Sequence, residues 1–534
     1  MKTINKFLFV ILSALLFAGC TDDLNTAPEG GTMTADQKKA AIEKNPSLLA
    51  ADVAAMNANM IAYCGVLGSG YHDDFGYAST CLKMDCNGSD MTCANIGYNW
   101  FRASASYEDR VYTSTSTTYM WNLYYKLIAS ANLVIGSVDL STTNATLKGY
   151  LGQALAIRAF DYMNLAQTHQ FTYLGHETLV CVPIVTEKTT TQEIVNNPRA
   201  TVAEVYKLIM SDLNTSISLL KGFTRTDKGY VNQAVAYGLR ARADLLMGKY
   251  AEAAVDADSA LVISGATPYT KAMVSAPAFW NAADNTVIWA NIITDNNDIV
   301  TSGIVNMPSH LCSFFTDGYV GVGVWKKINQ PLFDKISSTD VRKGWWLDAN
   351  KQSPLVADAS FDEWRKIASA DGSFGAYTNV KFGADNDNLS KLVPAQDWFL
   401  MRAEEMILIK AEGLAMSGKP GEAKTYLESF IQTNRDANYV CPASSATGIQ
   451  DEIWYQRRVE LWGEGFSYFD IMRLKKPVTR VENGVSSFPD AQKFNIVAEA
   501  PILLWRIPKA EIEANDGISE EQNNPIADTP KPSL

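Results

Sequence analysis

Two stretches of this chain carry the same punctuation. "ARADLLMGKYAEA" sets Ala241, Gly248 and Ala253 seven and then five residues apart. "AEGLAMSGKPGEA" sets Ala411, Gly418 and Ala423 at the same intervals. A glycine ends a helix because it enters the left-handed region without a Cβ clash. An alanine on each side lets the returning helix approach closely, so the pattern specifies a helical hairpin. The copies lie 170 residues apart and are not a tandem array. Paired helices are nonetheless the architecture they impose.

Apolar periodicity places eight helices, near 121–136, 148–167, 202–221, 231–247, 250–264, 397–416, 420–434 and 451–463. The third opens on a capping box, Thr201 with Glu204. The sixth carries Leu400, Ala403, Ile407, Ala411 and Leu414 along one stripe. Several are apolar on more than one face, which suits the interior of a stack. The Gly–Ala units resemble tetratricopeptide hairpins. The expected fold is mainly α: four helix pairs as a tetratricopeptide-like scaffold, with a second, irregular, loop-rich lobe.

Two regions break the helical pattern. Residues 265–396 are rich in Asp, Asn, Ser and Gly, and hold six of the twelve tryptophans: Trp280, Trp289, Trp325, Trp345, Trp346 and Trp364. Residues 65–118 hold "GSGYHDDFGY" and "GYNWFRASASYED". Long loops on a rigid scaffold are where binding usually sits.

The N-terminus reads as a secretory signal: Lys2 and Lys6, an apolar run from Phe7 to Phe17, then Ala18, Gly19 and Cys20. The run is too short to span a bilayer. It is similar to a bacterial lipoprotein box, with Phe17 in place of the commoner Leu. That likeness implies cleavage before Cys20 and lipid on its sulfur, enough for stable anchoring. Asp22 and Asp23 resemble the acidic export signal of Bacteroidetes surface lipoproteins, and "NTAPEGGTMTAD" follows as a polar tether. No later segment is long and apolar enough to cross a membrane. The net charge of −12 argues against a nucleic-acid partner. Seven cysteines remain beyond Cys20, an odd number, so at least one is unpaired within the chain. Buried thiols or one or two disulfides are expected; with four histidines and no CxxC, a zinc site is not.

The C-terminal third carries a family likeness. "WFLMRAEEMILIKAEGLAMSGKPGEAKTYLESFIQTNRD" is followed by "IWYQRRVELWGEGFSYFDIMRLKK" and "LLWRIPKAEIEANDGISEEQNNP". With Arg457, Arg458, Glu460, Leu461, Gly463, Glu464, Gly465, Asp470 and Arg473 at its centre, this resembles the SusD/RagB family of outer-membrane nutrient-binding lipoproteins. "LGQALAIRAFDYMNLAQ" and "VNQAVAYGLRARADLLMG" are similar to its earlier helices. One departure is the ending, where the family carries an Asn-Pro pair before Gln-Asn. The resemblance implies a signal peptide at 1–19, a lipidated tether at 20–36 and a single domain at 37–534. Its scaffold would lie mainly at 117–264 and 397–464, its ligand-binding lobe mainly at 65–116 and 265–396. It also implies capture of oligosaccharide at the cell surface and delivery to a TonB-dependent (SusC-like) outer-membrane transporter, without catalysis. The alternatives are a surface glycosidase using an acidic pair and a protein-only helical-repeat scaffold.

A glycosidase needs two carboxylates about 5–9 Å apart. Glu460 and Glu464, one helical turn apart, meet the spacing, but Arg457 and Arg473 interleave with acids there. Ion pairing would depress their pKa values, the wrong direction for a general acid. The same structural reading applies to Glu404, Glu412 and Asp470. Asp73, Asp74, Glu108 and Asp109 are the other acids a glycosidase could use. His72, His169, His176 and His310 form no metal or triad motif, and no phosphate loop occurs, so no cofactor or metal is expected. Sugars present flat C–H faces to aromatic rings and hydroxyls to polar side chains. The candidate ligand residues are therefore Tyr98, Asn99 and Trp100, Trp280 with Asn281, Trp289 and Trp325.

Overall fold

A computed structural model describes residues 34–370, 374–384 and 395–532. The signal, Cys20 and most of the tether lie outside them. The chain is mainly helical, as expected. Two short helices, α1 (Ala35–Lys44) and α2 (Ala50–Asn59), come first, then α3 (Tyr77–Asn87). Two long ones, α4 (Thr115–Ser137) and α5 (Ala145–His169), lead into α6 (Val202–Leu219), α7 (Gln233–Leu246) and α8 (Tyr250–Ser264). After a long excursion come α9 (Ala403–Met416), α10 (Pro420–Asn434), α11 (Ala446–Glu460) and the short α12 (Ser467–Arg473).

Both hairpins form at the glycines. Gly248 and Gly418 turn at φ 69° and 88°, and Ala241, Ala253, Ala411 and Ala423 are wholly buried. Although distant in sequence, the hairpins are neighbours in space, because α8 packs on α9. Gly413 makes the approach possible: a Cβ there would stand 2.5 Å from the Tyr250 carbonyl oxygen and 2.8 Å from the Ala254 Cβ. Packing runs on from α4 through α5, α6, α7, α8 and α9 to α10 and α11, each helix on the next. The result is a tetratricopeptide-like stack interrupted by one long insertion.

Local signals place the ends of most helices. Thr201 accepts a hydrogen bond from the Glu204 amide at 3.2 Å, and Glu204 accepts one from the Thr201 amide at 2.8 Å. One segment departs from the sequence reading. Residues 398–402, read as the first turn of the sixth helix, form a strand, β4 (Trp398–Arg402), so Leu400 leaves the helical stripe. β4 pairs antiparallel, through an irregular register, with β2 (Val287–Asn291), and all five residues of each strand are buried. Helix α3 lies in a region read as irregular. All eleven of its residues are buried, polar ones included, so it shows no apolar stripe.

The excursion between α8 and α9 has its own core. Trp289, Trp345, Trp346 and Trp364 are buried there. Their indoles are tied to backbone where partners exist: Trp289 Nε1 donates to the Gly229 carbonyl at 3.1 Å, Trp345 to Val274 at 3.0 Å and Trp364 to Ser313 at 2.9 Å. The tryptophan surplus thus mostly builds a core for a loop-rich region. A second small pairing joins β1 (Met91–Cys93) to β3 (Lys326–Ile328), with Thr92 opposite Lys327.

Candidate functional site

Pairing of β1 with β3 brings together two loops far apart in sequence: 94–100, which leaves β1, and 319–325, which enters β3. Trp100 Nε1 donates to the Tyr319 hydroxyl at 3.1 Å. His72 stacks on Trp100, ring centres 5.0 Å apart, and its Nδ1 meets the same hydroxyl. Behind them His310 stacks on Tyr319 at 4.4 Å and on Phe75 at 5.4 Å. Burial and nearby Lys326 hold the His310 imidazole well below its usual range, so it packs as a neutral ring.

Three of the sequence candidates face outward on this surface. Tyr98 is 68% exposed, and Trp100 and Trp325 are half-buried. Trp325 lines an open groove with Asn95, Ile96, Val322 and Phe488. Lys327 Nζ sits 3.7 Å from the Trp325 ring centre. Desolvation, aided by Lys351, brings that ammonium down to about 8. A sugar ring can stack on such a surface through its C–H face, with Asn95 in the groove to meet its hydroxyls.

The other candidates are placed differently. Asn99 is turned inward and works as a loop brace: its Nδ2 donates to the Ala94 carbonyl at 2.6 Å and its Oδ1 accepts from the Phe101 amide at 3.2 Å. Trp289 is fully buried against Phe160 and offers no face to a ligand. Both are corrections to the sequence reading: an aromatic or amide in a polar stretch does not announce which way it points. Trp280 and Asn281 lie on a separate segment, where Trp280 packs against Gly383 and Asn281 Oδ1 accepts from the Ala283 amide at 2.9 Å. Sequence reasoning passed over Tyr319 and Lys327, although "DGYVGVGVW", with its glycines between two aromatics, is the signal that leads to them.

The acids that could serve a glycosidase are engaged. Asp73 pairs with Lys83 at 2.6 Å, Asp109 with Arg110 at 2.6 Å and Glu108 with Arg102 at 3.1 Å. Asp74 accepts from the Val66 and Leu67 amides at 2.8 and 2.6 Å. In the C-terminal network, Glu460 binds Arg435, Arg402 and Arg342 at 2.8, 3.0 and 3.2 Å. Glu464 binds Arg402 and Lys381 at 2.7 and 2.6 Å. Burial works to raise both carboxyls, but the cations outweigh it and hold Glu460 well below the usual range and Glu464 below it. Asp470 joins Arg457 and Arg473, and Arg473 reaches Glu412 at 2.6 Å. Glu404 lies between Arg402 and Arg435 at 2.9 and 3.0 Å. This is a structural network welding β4, α9 and α11 together. Among the described residues no cluster of His, Cys, Asp and Glu could hold a metal ion, and no helix is long and apolar enough to cross a membrane.

Comparison with known proteins places this architecture. Residues 69–245 match a family described as starch-binding and associating with the outer membrane, and residues 365–526 match the SusD family. The chain belongs to the SusD family. A SusD-like protein P38 from Formosa agariphila is 22% identical over 404 residues, spanning 68% of this chain and 74% of that relative. A SusD-like carbohydrate-binding protein from Bacteroides vulgatus superposes with a TM-score of 0.71 at 22% identity, over 90% of this chain and 98% of that one. A laminarin-binding SusD-like protein superposes at 0.59 with 16% identity, over 90% and 99%. The SusD family is a carbohydrate-binding, outer-membrane-associated family, and this chain shares its helix-pair fold.

Proposed function

We propose that this chain captures oligosaccharide on the platform formed by Tyr98, Trp100 and Trp325 and passes it to a TonB-dependent, SusC-like transporter in the outer membrane. The observation that carries this reading is the β1–β3 pairing, which joins the loop bearing Tyr98 and Trp100 to the loop bearing Trp325 and the groove that it lines. In this reading Cys20 carries the lipid that holds the protein at the cell surface, and the stack at 117–264 and 397–464 is the scaffold. The segments 65–116 and 265–396 form the ligand-binding lobe. Family membership and the laminarin-binding neighbour support a glycan ligand. A shallow platform with few polar partners gives modest affinity, and tethering beside a transporter raises the effective concentration.

The test is calorimetric titration of a glycan panel, including laminarin and starch oligosaccharides, with the same mixtures assayed for cleavage. Binding without products supports capture. Products would replace it with a hydrolase. Copurification with an outer-membrane barrel, with no glycan bound, would favour a protein-only scaffold.

A further inference from the structure

At the foot of the same platform lie two thiols. Cys86 is in the last turn of α3 and Cys93 is the last residue of β1; both are wholly buried. Their sulfurs are 2.9 Å apart, inside the sum of two sulfur radii and about 0.9 Å beyond a disulfide bond. No other pair of described cysteines brings its sulfurs into such contact: Cys64, Cys312 and Cys441 turn theirs to backbone carbonyls. Two cations flank the pair. Lys326 stands opposite Cys93 across the β1–β3 ladder, and Arg480 donates to the Cys86 carbonyl at 2.8 Å. A thiolate is the species that attacks a disulfide.

We propose that Cys86 and Cys93 form a disulfide that staples α3 to β1 and so fixes the root of the ligand loop 94–100. The oxidant is an exogenous disulfide, of the kind that keeps exported proteins oxidised. The Cys93 thiolate attacks one sulfur of that donor and displaces a thiolate. The Cys86 thiolate then attacks the mixed disulfide at the Cys93 sulfur and displaces the second. The pair loses two electrons and two protons, and the donor leaves as two thiols. Exchange runs while the chain folds, before both sulfurs are covered.

The reading of a surface-exposed protein supplies the oxidising compartment, but the test does not depend on it. The full chain is refolded in mixed reduced and oxidised glutathione, denatured, alkylated with iodoacetamide and digested with trypsin. The peptide 84–102 contains Cys86, Cys93 and no other cysteine. It is expected unalkylated and lighter than the dithiol by two hydrogen masses. Alkylation of both residues at every glutathione ratio, a glutathione adduct alone, or linkage of either to Cys81 would overturn the proposal. Cys86→Ser is expected to leave Cys93 fully alkylated; if that variant does not fold, the wild-type peptide still decides. Loss of glycan binding in the oxidised protein would leave the staple standing and count against the platform, so the two failures are distinguishable.

Discussion

Arg402 and Glu464 grip each other through two parallel hydrogen bonds, Nε to Oε2 at 2.7 Å and Nη2 to Oε1 at 2.8 Å, with both side chains out of water. The same guanidinium touches Glu460 and Glu404, so one cation serves three buried carboxylates. Removing it leaves charge uncompensated, which costs about 3–5 kcal/mol. Arg402→Met is expected to lower unfolding free energy by that amount in urea titration. A change under about 1 kcal/mol would show that other cations suffice.

The same network sets an acid limit. Glu460, Glu464 and Asp470 titrate lower in the fold than their ordinary values of 4.5, 4.5 and 3.8. A depressed carboxyl stabilises the fold above its unfolded pKa, and that contribution disappears as pH falls through the folded value. Asp85 works in the opposite sense: burial pushes it up to about 7, so its protonated form suits the fold and stability falls as pH rises from 3.8 through 7. Melting temperatures are expected to peak in mildly acidic buffer and drop steeply below about pH 4.5. Asp85→Asn is expected to flatten the descent towards pH 7. A profile level from pH 3 to 8 would contradict both statements.

On the platform, single changes of Trp100 or Trp325 to Ala are expected to weaken the bound glycan roughly tenfold or more, as central aromatics do. Tyr98→Ala, farther from packing support, is expected to cost less. Circular dichroism and melting should stay near wild type for Tyr98→Ala.

Trp289→Ala is the matching control. It empties a core site and is expected to cost about 3–5 kcal/mol of stability, with glycan affinity of the folded fraction unchanged. A selective loss of binding without destabilisation would return Trp289 to the ligand site.

Gly413→Val tests the stacking of the two hairpins. The new side chain would collide with the Tyr250 carbonyl and Ala254, and overpacking costs about 1–3 kcal/mol. Gly421, with open space around it in the neighbouring helix α10, is expected to accept Ala without loss.

What could be read from sequence followed the range of the force involved. The helices 250–264 and 420–434 match their observed limits, because glycine, alanine and apolar spacing act within a few residues. Residues 398–402 were misread because their strand exists through residues 287–291, which periodicity within one segment does not report. Trp289 and Trp325 look alike in sequence, each preceded by a β-branched apolar residue, yet one is core and one lines a groove. That difference is made by Phe160 and by the β1–β3 pairing, each more than a hundred residues away. The exposure of Tyr98 was legible because a Gly- and Asn-rich stretch between helices tends to the surface.

The interruption between α8 and α9 sets a schedule for synthesis. A chain growing from its N-terminus finishes α8 with the flank around Tyr250 and Ala254 uncovered, and 138 residues must follow before α9 arrives with Gly413 to close on it. Closing so long a loop costs little more free energy than closing a short one, but it delays the contact. Until then the first hairpin presents a sticky flank to whatever is nearby. The interval in which the insertion is being made is therefore the one in which this flank stays open to other contacts.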